Sequence, residues 1–262
     1  MKKIRKVLAL TLCAIALVGA SVMGTMAYLT DNDTVTNTFT VGNVDIMLDE
    51  AKVDEYGHAV DNSNNPIKNG DDYIAPDAVD DNTSVVRVES NSYKLLPGHT
   101  YIKDPTVTVV AGSEDAYVRM LVEVNDIDKL KDAFPVDKYA DWYAGEVFLL
   151  QKLVGGWDNS VWTSTSVKTA TTGEGESAVT SATYEFRYKE KVDYAATATE
   201  LEPLFTYIDV PGELNNAEIA KLNEVEITVK AHAIQFDGFA NADEAWGNFD
   251  VNAPAYDTPV TP

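Results

Sequence analysis

The chain has 262 residues, 42 of them acidic and 20 basic, which gives a net charge of −22 alongside three histidines and one cysteine. A field of that sign repels a phosphate backbone unless basic residues gather in a patch, and here Lys and Arg stand singly between carboxylates, which excludes nucleic acid as a partner. The lone thiol, Cys13, sits inside an N-terminal apolar run, so the rest of the chain has neither a disulfide framework nor a thiolate metal site.

The N-terminus reads Met1-Lys2-Lys3-Ile4-Arg5-Lys6, then an apolar run over 7–18 broken only by Thr11, then Gly19, Ser21, Gly24 and Thr25 before Met26-Ala27. Basic, apolar and small residues in that order make a secretory signal. A spanning helix needs about 20 predominantly apolar residues, and this core is shorter. Cleavage after Ala27 is expected, leaving Tyr28 first and no stable membrane span; an uncleaved anchor is the competing reading. Residues 1–27 are thus assigned to the signal peptide and 28–40 to an N-terminal segment. Residues 41–251 are assigned to one domain and 252–262, with three prolines, to a disordered tail.

Within the domain the apolar period is mostly two rather than 3.6, the mark of half-buried strands. Strands are predicted over 38–48, 84–89, 106–110, 117–124, 147–153, 161–164, 178–188, 204–210 and 225–233. In 117–124, Val118, Met120, Val122 and Val124 share one face, with Arg119 and Glu123 on the other. The last is the clearest: Val225, Ile227, Val229, Ala231 and Ala233 alternate with polar residues. Exposed loops are predicted at 61–72, rich in Asn and Asp, and at 169–177, rich in Thr, Gly and Glu. Short helices are predicted at 126–134, stopped by Pro135, and at 215–222, capped by Asn215 with Ile219 and Leu222 facing inward.

Chemical motifs are sparse. His58, His99 and His232 are isolated from one another, with no H-E-x-x-H pair to place two zinc ligands on one helical turn. His232 alternates with apolar neighbours and is read as an outward-facing strand residue. No nucleophile elbow, phosphate-cradling glycine loop or dinucleotide fingerprint occurs. The runs Asp31-Asn32-Asp33, Asp61 to Asn65 and Asp80-Asp81-Asn82 offer oxygen ligands for calcium, but none completes an EF-hand loop, and solvated turns are the plainer reading. No catalytic, cofactor-binding or metal-ligating residue is nominated, and calcium is the one cofactor left open. Trp157 and Trp162 lie in one stretch bordered by Gly and Asn, where core burial is expected over carbohydrate stacking.

Three segments carry a resemblance. After Ala27-Tyr28 and a short acidic linker come Asn37-Thr38-Phe39, then Val41-Gly42-Asn43 and an alternating stretch ending Asp45-Ile46-Met47-Leu48. Further on are Leu96-Pro97-Gly98-His99-Thr100, Lys103-Asp104-Pro105-Thr106-Val107 and Asp115-Ala116-Tyr117-Val118-Arg119. Near the end, Ala231-His232-Ala233-Ile234-Gln235 is followed by Phe236, Gly238 and Ala245-Trp246. As a set these resemble the TasA and camelysin (CalY) family of exported proteins, whose signals are cut by the peptidase SipW. Residues 139–211 carry no motif of that family.

The resemblance implies an all-β, jelly-roll-like β-sandwich with a few short helices in its connections, in agreement with the strand reading. It implies a structural protein of the extracellular matrix or cell surface, a biofilm fibre subunit joined to the next by its N-terminal strand. The implied partners are a SipW-type signal peptidase, for Ala27 and Tyr28, and further copies or related matrix subunits. Asn37, Thr38, Phe39 and Val41 are the expected assembly residues, with Phe39 and Val41 offering alternate side chains to a sheet edge. Other readings stay open at this point: pairing of the first strand only within its own sandwich, a monomeric surface module for glycan or calcium, and a camelysin-like metalloprotease, which no motif supports.

Overall fold

Period-two alternation becomes a hydrogen-bonded ladder where its apolar face meets another apolar face. A computed structural model describes residues 43–79, 84–143, 148–175, 178–222 and 225–252. In chain order they form β1 (Ile46–Ala51), a small hairpin of β2 (Lys68–Asn69) and β3 (Asp72–Tyr73), β4 (Arg87–Val88), β5 (Thr100–Ile102), β6 (Thr106–Val109) and β7 (Ala116–Val124). Helices α1 (Ile127–Ala133) and α2 (Phe148–Leu153) follow, then β8 (Val154–Gly155), β9 (Trp162–Thr172), β10 (Val179–Tyr188), β11 (Thr199–Glu200) and β12 (Tyr207–Asp209). Helix α3 (Asn216–Leu222), β13 (Ile227–Gln235) and α4 (Ala242–Asn252) complete the described chain.

One four-stranded sheet has the order β11-β6-β1-β4 and the other β13-β7-β10-β9, with every pairing antiparallel. A three-stranded sheet, β5-β12-β8, adds to them. The inner faces share one core: Val107 and Val109 come from β6, Val118, Met120, Val122 and Val124 from β7, and Ala182, Tyr184 and Phe186 from β10. The chain is therefore an all-β sandwich, as the alternation implies. Trp162 is fully buried and donates its indole N–H to the Glu202 carbonyl at 2.9 Å, while half-buried Trp157 donates to the Trp162 carbonyl at 3.0 Å. Both serve packing rather than an exposed stacking platform.

The helices lie where caps permit them. Asp126 caps α1 by accepting from the Lys129 N–H at 3.0 Å, and Asn215 caps α3 by accepting from Ala217 and Glu218. Leu222 is buried and Ile219 packs against the core, the inward face expected of them. Residues 148–153 differ from expectation, folding as a helix and not a strand. Leu150 and Leu153, three apart, are both buried while Lys152 is exposed, and Leu, Gln and Lys all favour helix.

Strand limits also shift. The strand expected over 38–48 runs from Ile46 to Ala51, with its first five predicted residues outside the described chain. The strand at 84–89 shrinks to Arg87–Val88, and 204–210 to Tyr207–Asp209. β9 extends to Thr172, taking four residues from the loop expected at 169–177, because its Thr-rich run pairs with β10 as far as Val179. The chain then turns through Gly173 and Gly175, both at positive φ. Loop 61–72 is exposed as expected, although the β2–β3 hairpin forms at its end. Asn252 closes α4, and the rest of the expected tail lies outside the described residues.

Gly57 fixes the segment leading to the site. It holds φ at 83°, and a Cβ there would stand 2.6 Å from the Cα of Tyr101. Its carbonyl accepts from the Ile102 N–H at 3.0 Å, which sets Lys103 immediately beyond.

Candidate functional site: an open strand edge beside a charged cleft

Among the described residues β13 ends its sheet, with β7 on one side only. Its register on β7 is unbroken from Ile227 opposite Val124 to Gln235 opposite Ala116. At the two ends, the Glu226 carbonyl accepts from Asn125 and the Phe236 N–H donates to Asp115. In an antiparallel ladder the bonded positions alternate, so the even-numbered residues of β13 bond to β7. The N–H and C=O groups of Ile227, Val229, Ala231 and Ala233 therefore point to the open side. Among the described residues no backbone hydrogen bond reaches them.

β1 approaches β13 across the sandwich. The two are held close at the end where Asn43 and Asp45 are tied to Glu114 and Ser113, next to the Phe236–Asp115 bond. Toward the other end they leave a cleft of about 430 Å³. Its apolar lining includes Leu48, Leu95, Ile208, Val210, Ile227 and Val229, so the open backbone of β13 borders an apolar trough. The opposite edge of the sheet is built differently. β9 carries Lys168 along its length, and its register with β10 shifts at Glu185/Phe186, two features that blunt a strand edge.

The cleft also has a polar wall. Lys103 Nζ lies 2.6 Å from Glu50 Oε2, and both residues are less than a tenth exposed. The other oxygen of Glu50 accepts from Asn91 Nδ2 at 2.8 Å. Asn91 Nδ2 also donates to the Ala51 carbonyl at 2.8 Å, and Asn91 Oδ1 accepts from the Val53 N–H at 2.9 Å. The Tyr93 ring centroid lies 5.8 Å from Lys103 Nζ. Burial first, and then the charges of Glu50 and Asp104, push the Tyr93 hydroxyl well above its ordinary range. Beside this wall Arg87 bridges Asp104 at 2.5 Å and Asp49 at 2.9 Å, and Asp104 accepts from the Ala51 N–H at 2.7 Å.

A second polar cluster lies on the outer face of the β13-β7-β10-β9 sheet. Arg119 is 3 % exposed and contacts Glu185 at 3.2 Å, Asp250 at 2.6 Å and His232 Nδ1 at 3.2 Å. Its guanidinium carbon stands 4.5 Å from the Trp246 ring centroid and 5.1 Å from that of Phe249. Helix α4 thus covers the face on which His232 was expected to point outward; His232 lies beneath Phe249, 5.0 Å from its ring. Arg187 joins Glu185 at 2.8 Å to Asp243 at 2.5 Å.

The other histidines stand apart. His58 bonds Asp54 at 3.0 Å and stacks on Tyr73, while His99 lies near Tyr101. Among the described residues no group of three or more His, Cys, Asp or Glu is placed to hold a metal ion. In the candidate calcium loop at 61–65, the N–H groups of Asn65 and Ser63 bond Asp61 and hold its carboxyl below the usual aspartate range. The loops at 31–33 and 80–82 lie outside the described residues.

Ala27, Tyr28, Asn37, Thr38, Phe39 and Val41 also lie outside the described residues. The site therefore consists of residues that sequence reasoning did not nominate as functional. Alternation marked β13 as a strand but not as an edge. Glu50 and Asn91 are separated by 41 positions and Glu50 and Lys103 by 53, so no local spacing announced them. No family model, no curated protein and no solved structure matches this chain.

Proposed function

We propose that this chain is an exported structural subunit that assembles into fibres of the extracellular matrix by strand donation. On this reading a SipW-type peptidase cuts after Ala27, and residues 28–41 of one copy pair with the open edge of β13 in the next. The observation that carries it is that edge: an unbroken strand with outward backbone groups at Ile227, Val229, Ala231 and Ala233, bordered by an apolar cleft. Backbone pairing supplies affinity in such an arrangement, and alternate side chains supply register. Asn37, Phe39 and Val41 fall on one face of an extended donor, and Phe39 and Val41 offer apolar groups to the trough. The blunted edge of β9 makes β13 the more accessible of the two edges of this sheet, and pairing at a single edge favours growth in a line. The sandwich is then of the jelly-roll-like kind that the resemblance implies, secreted or held at the cell surface by assembly with its own copies or related subunits.

Electron microscopy and light scattering of the purified, leader-cleaved protein at high concentration test this. Fibres are expected; a protein that remains monomeric throughout overturns the proposal.

A further inference from the structure

We propose that Lys103 and Asn91 condense into an intramolecular amide bond, with Glu50 as proton relay. The inference rests on the polar wall of the cleft and is independent of fibre assembly. The two oxygens of Glu50 gather the two reacting groups on one carboxylate. Lys103 supplies the amine and Asn91 the carboxamide, while Glu50 touches both, with Oε2 at 2.6 Å from the nucleophilic Nζ and Oε1 at 2.8 Å from the departing Nδ2. A fourth group polarises the carbonyl, because the Val53 N–H donates to Asn91 Oδ1 at 2.9 Å, where negative charge develops on attack. Lys103 and Glu50 are buried, the Tyr93 ring stands over the amine, and water is largely kept from the pair. Asn91 lines the cleft as they do, so a small leaving group has an exit.

The step balances without any co-reactant. Glu50 takes a proton from the Lys103 ammonium, and the neutral amine attacks Cγ of Asn91. The proton passes from Glu50 to Nδ2, the Cγ–Nδ2 bond breaks, and ammonia leaves as the Nζ–Cγ bond becomes an amide. The remaining excess proton on Nζ returns to Glu50, whose carboxyl ends neutral. A neutral acid beside a neutral amide suits a site withdrawn from water better than the starting ion pair does. The product ties two segments of a chain whose only cysteine lies in the leader, restraining the unfolded state much as a disulfide would.

The test is tryptic mapping by mass spectrometry of the folded, purified protein. Expected is a branched species joining peptide 88–94 to peptide 95–119, uncut after Lys103 and lighter than the two together by one ammonia. Glu50→Gln and Asn91→Ala should return the peptides unlinked. Separate peptides 88–94 and 95–103 at full mass from folded wild-type protein overturn the proposal, whether or not either variant folds. Full linkage in a folded Glu50→Gln chain overturns the relay.

Discussion

Replacing Val229 by proline is expected to give a folded monomer that forms no fibres. The N–H of Val229 points away from β7, so proline at this position removes no bond from the ladder that holds β13 in its sheet. Proline is tolerated on an edge strand for this reason, and the change in strand propensity costs about 1 kcal/mol. What it removes is a donor in the middle of the edge bordering the cleft, and its ring obstructs an incoming strand. Light scattering should report loss of assembly, while far-UV circular dichroism stays that of the parent. Deleting residues 28–40 should produce the same monomer from the donor side. Fibres formed undiminished by either variant would remove strand donation at β13 as the mechanism.

Replacing Arg119 by methionine is expected to produce the largest loss of stability. Arg119 is buried under α4, where it holds Asp250 and Glu185 and stacks against Trp246 and Phe249. Removing one partner of a buried ionic cluster costs about 3 kcal/mol, since the groups left behind lose their compensation. In a domain of this size that corresponds to a melting temperature lower by about 6–12 °C, measured by thermal circular dichroism. Arg187 still reaches Glu185, so α4 should undock before the sheet melts.

The same cluster sets an acid limit. The Arg119 hydrogen bond holds the carboxyl of Asp250 below the usual aspartate range against a smaller burial penalty. Burial opposes the charge of Glu185, but Arg187, Ser166 and Arg119 hold it below the usual glutamate range. Groups with depressed folded values contribute stability that is complete above their unfolded values, about 4, and is lost as pH falls through the lower folded ones. Trp246 emission should therefore hold steady from neutral pH to about 5 and move toward that of exposed indole in stronger acid. An unchanged melting temperature in Arg119→Met, or Trp246 emission that changes already near pH 6, would contradict this role.

How much of this was legible in the residues differs from place to place. β7 and β13 could be read directly, because Val118 to Val124 and Ile227 to Ala233 alternate so regularly that one face had to be buried. Segment 148–153 could not, since a short apolar run fits strand or helix equally well until burial of Leu150 and Leu153 decides it. Alternation puts His232 on the correct strand but does not reveal its cover, because α4 returns from the far end of the chain to reach it. The edge of β13 is a property of topology: nothing in its own residues says that, among the described residues, β7 has a partner on both sides and β13 on one. Glu50, Asn91 and Lys103 likewise look like ordinary polar residues until β1, the stretch after β4 and the end of β5 meet.

The most direct measurement of the central claim is residue-resolved amide hydrogen exchange on β13, compared between monomer and fibre. Thr228, Lys230, His232 and Ile234 bond to β7 on this geometry and should be protected in both states, which makes them an internal reference. The amides of Ile227 and Val229, which face the open side beside the cleft, should exchange rapidly in the monomer and slowly in the fibre. Fibres in which Ile227 and Val229 exchange as fast as they do in the monomer would contradict strand donation at this edge.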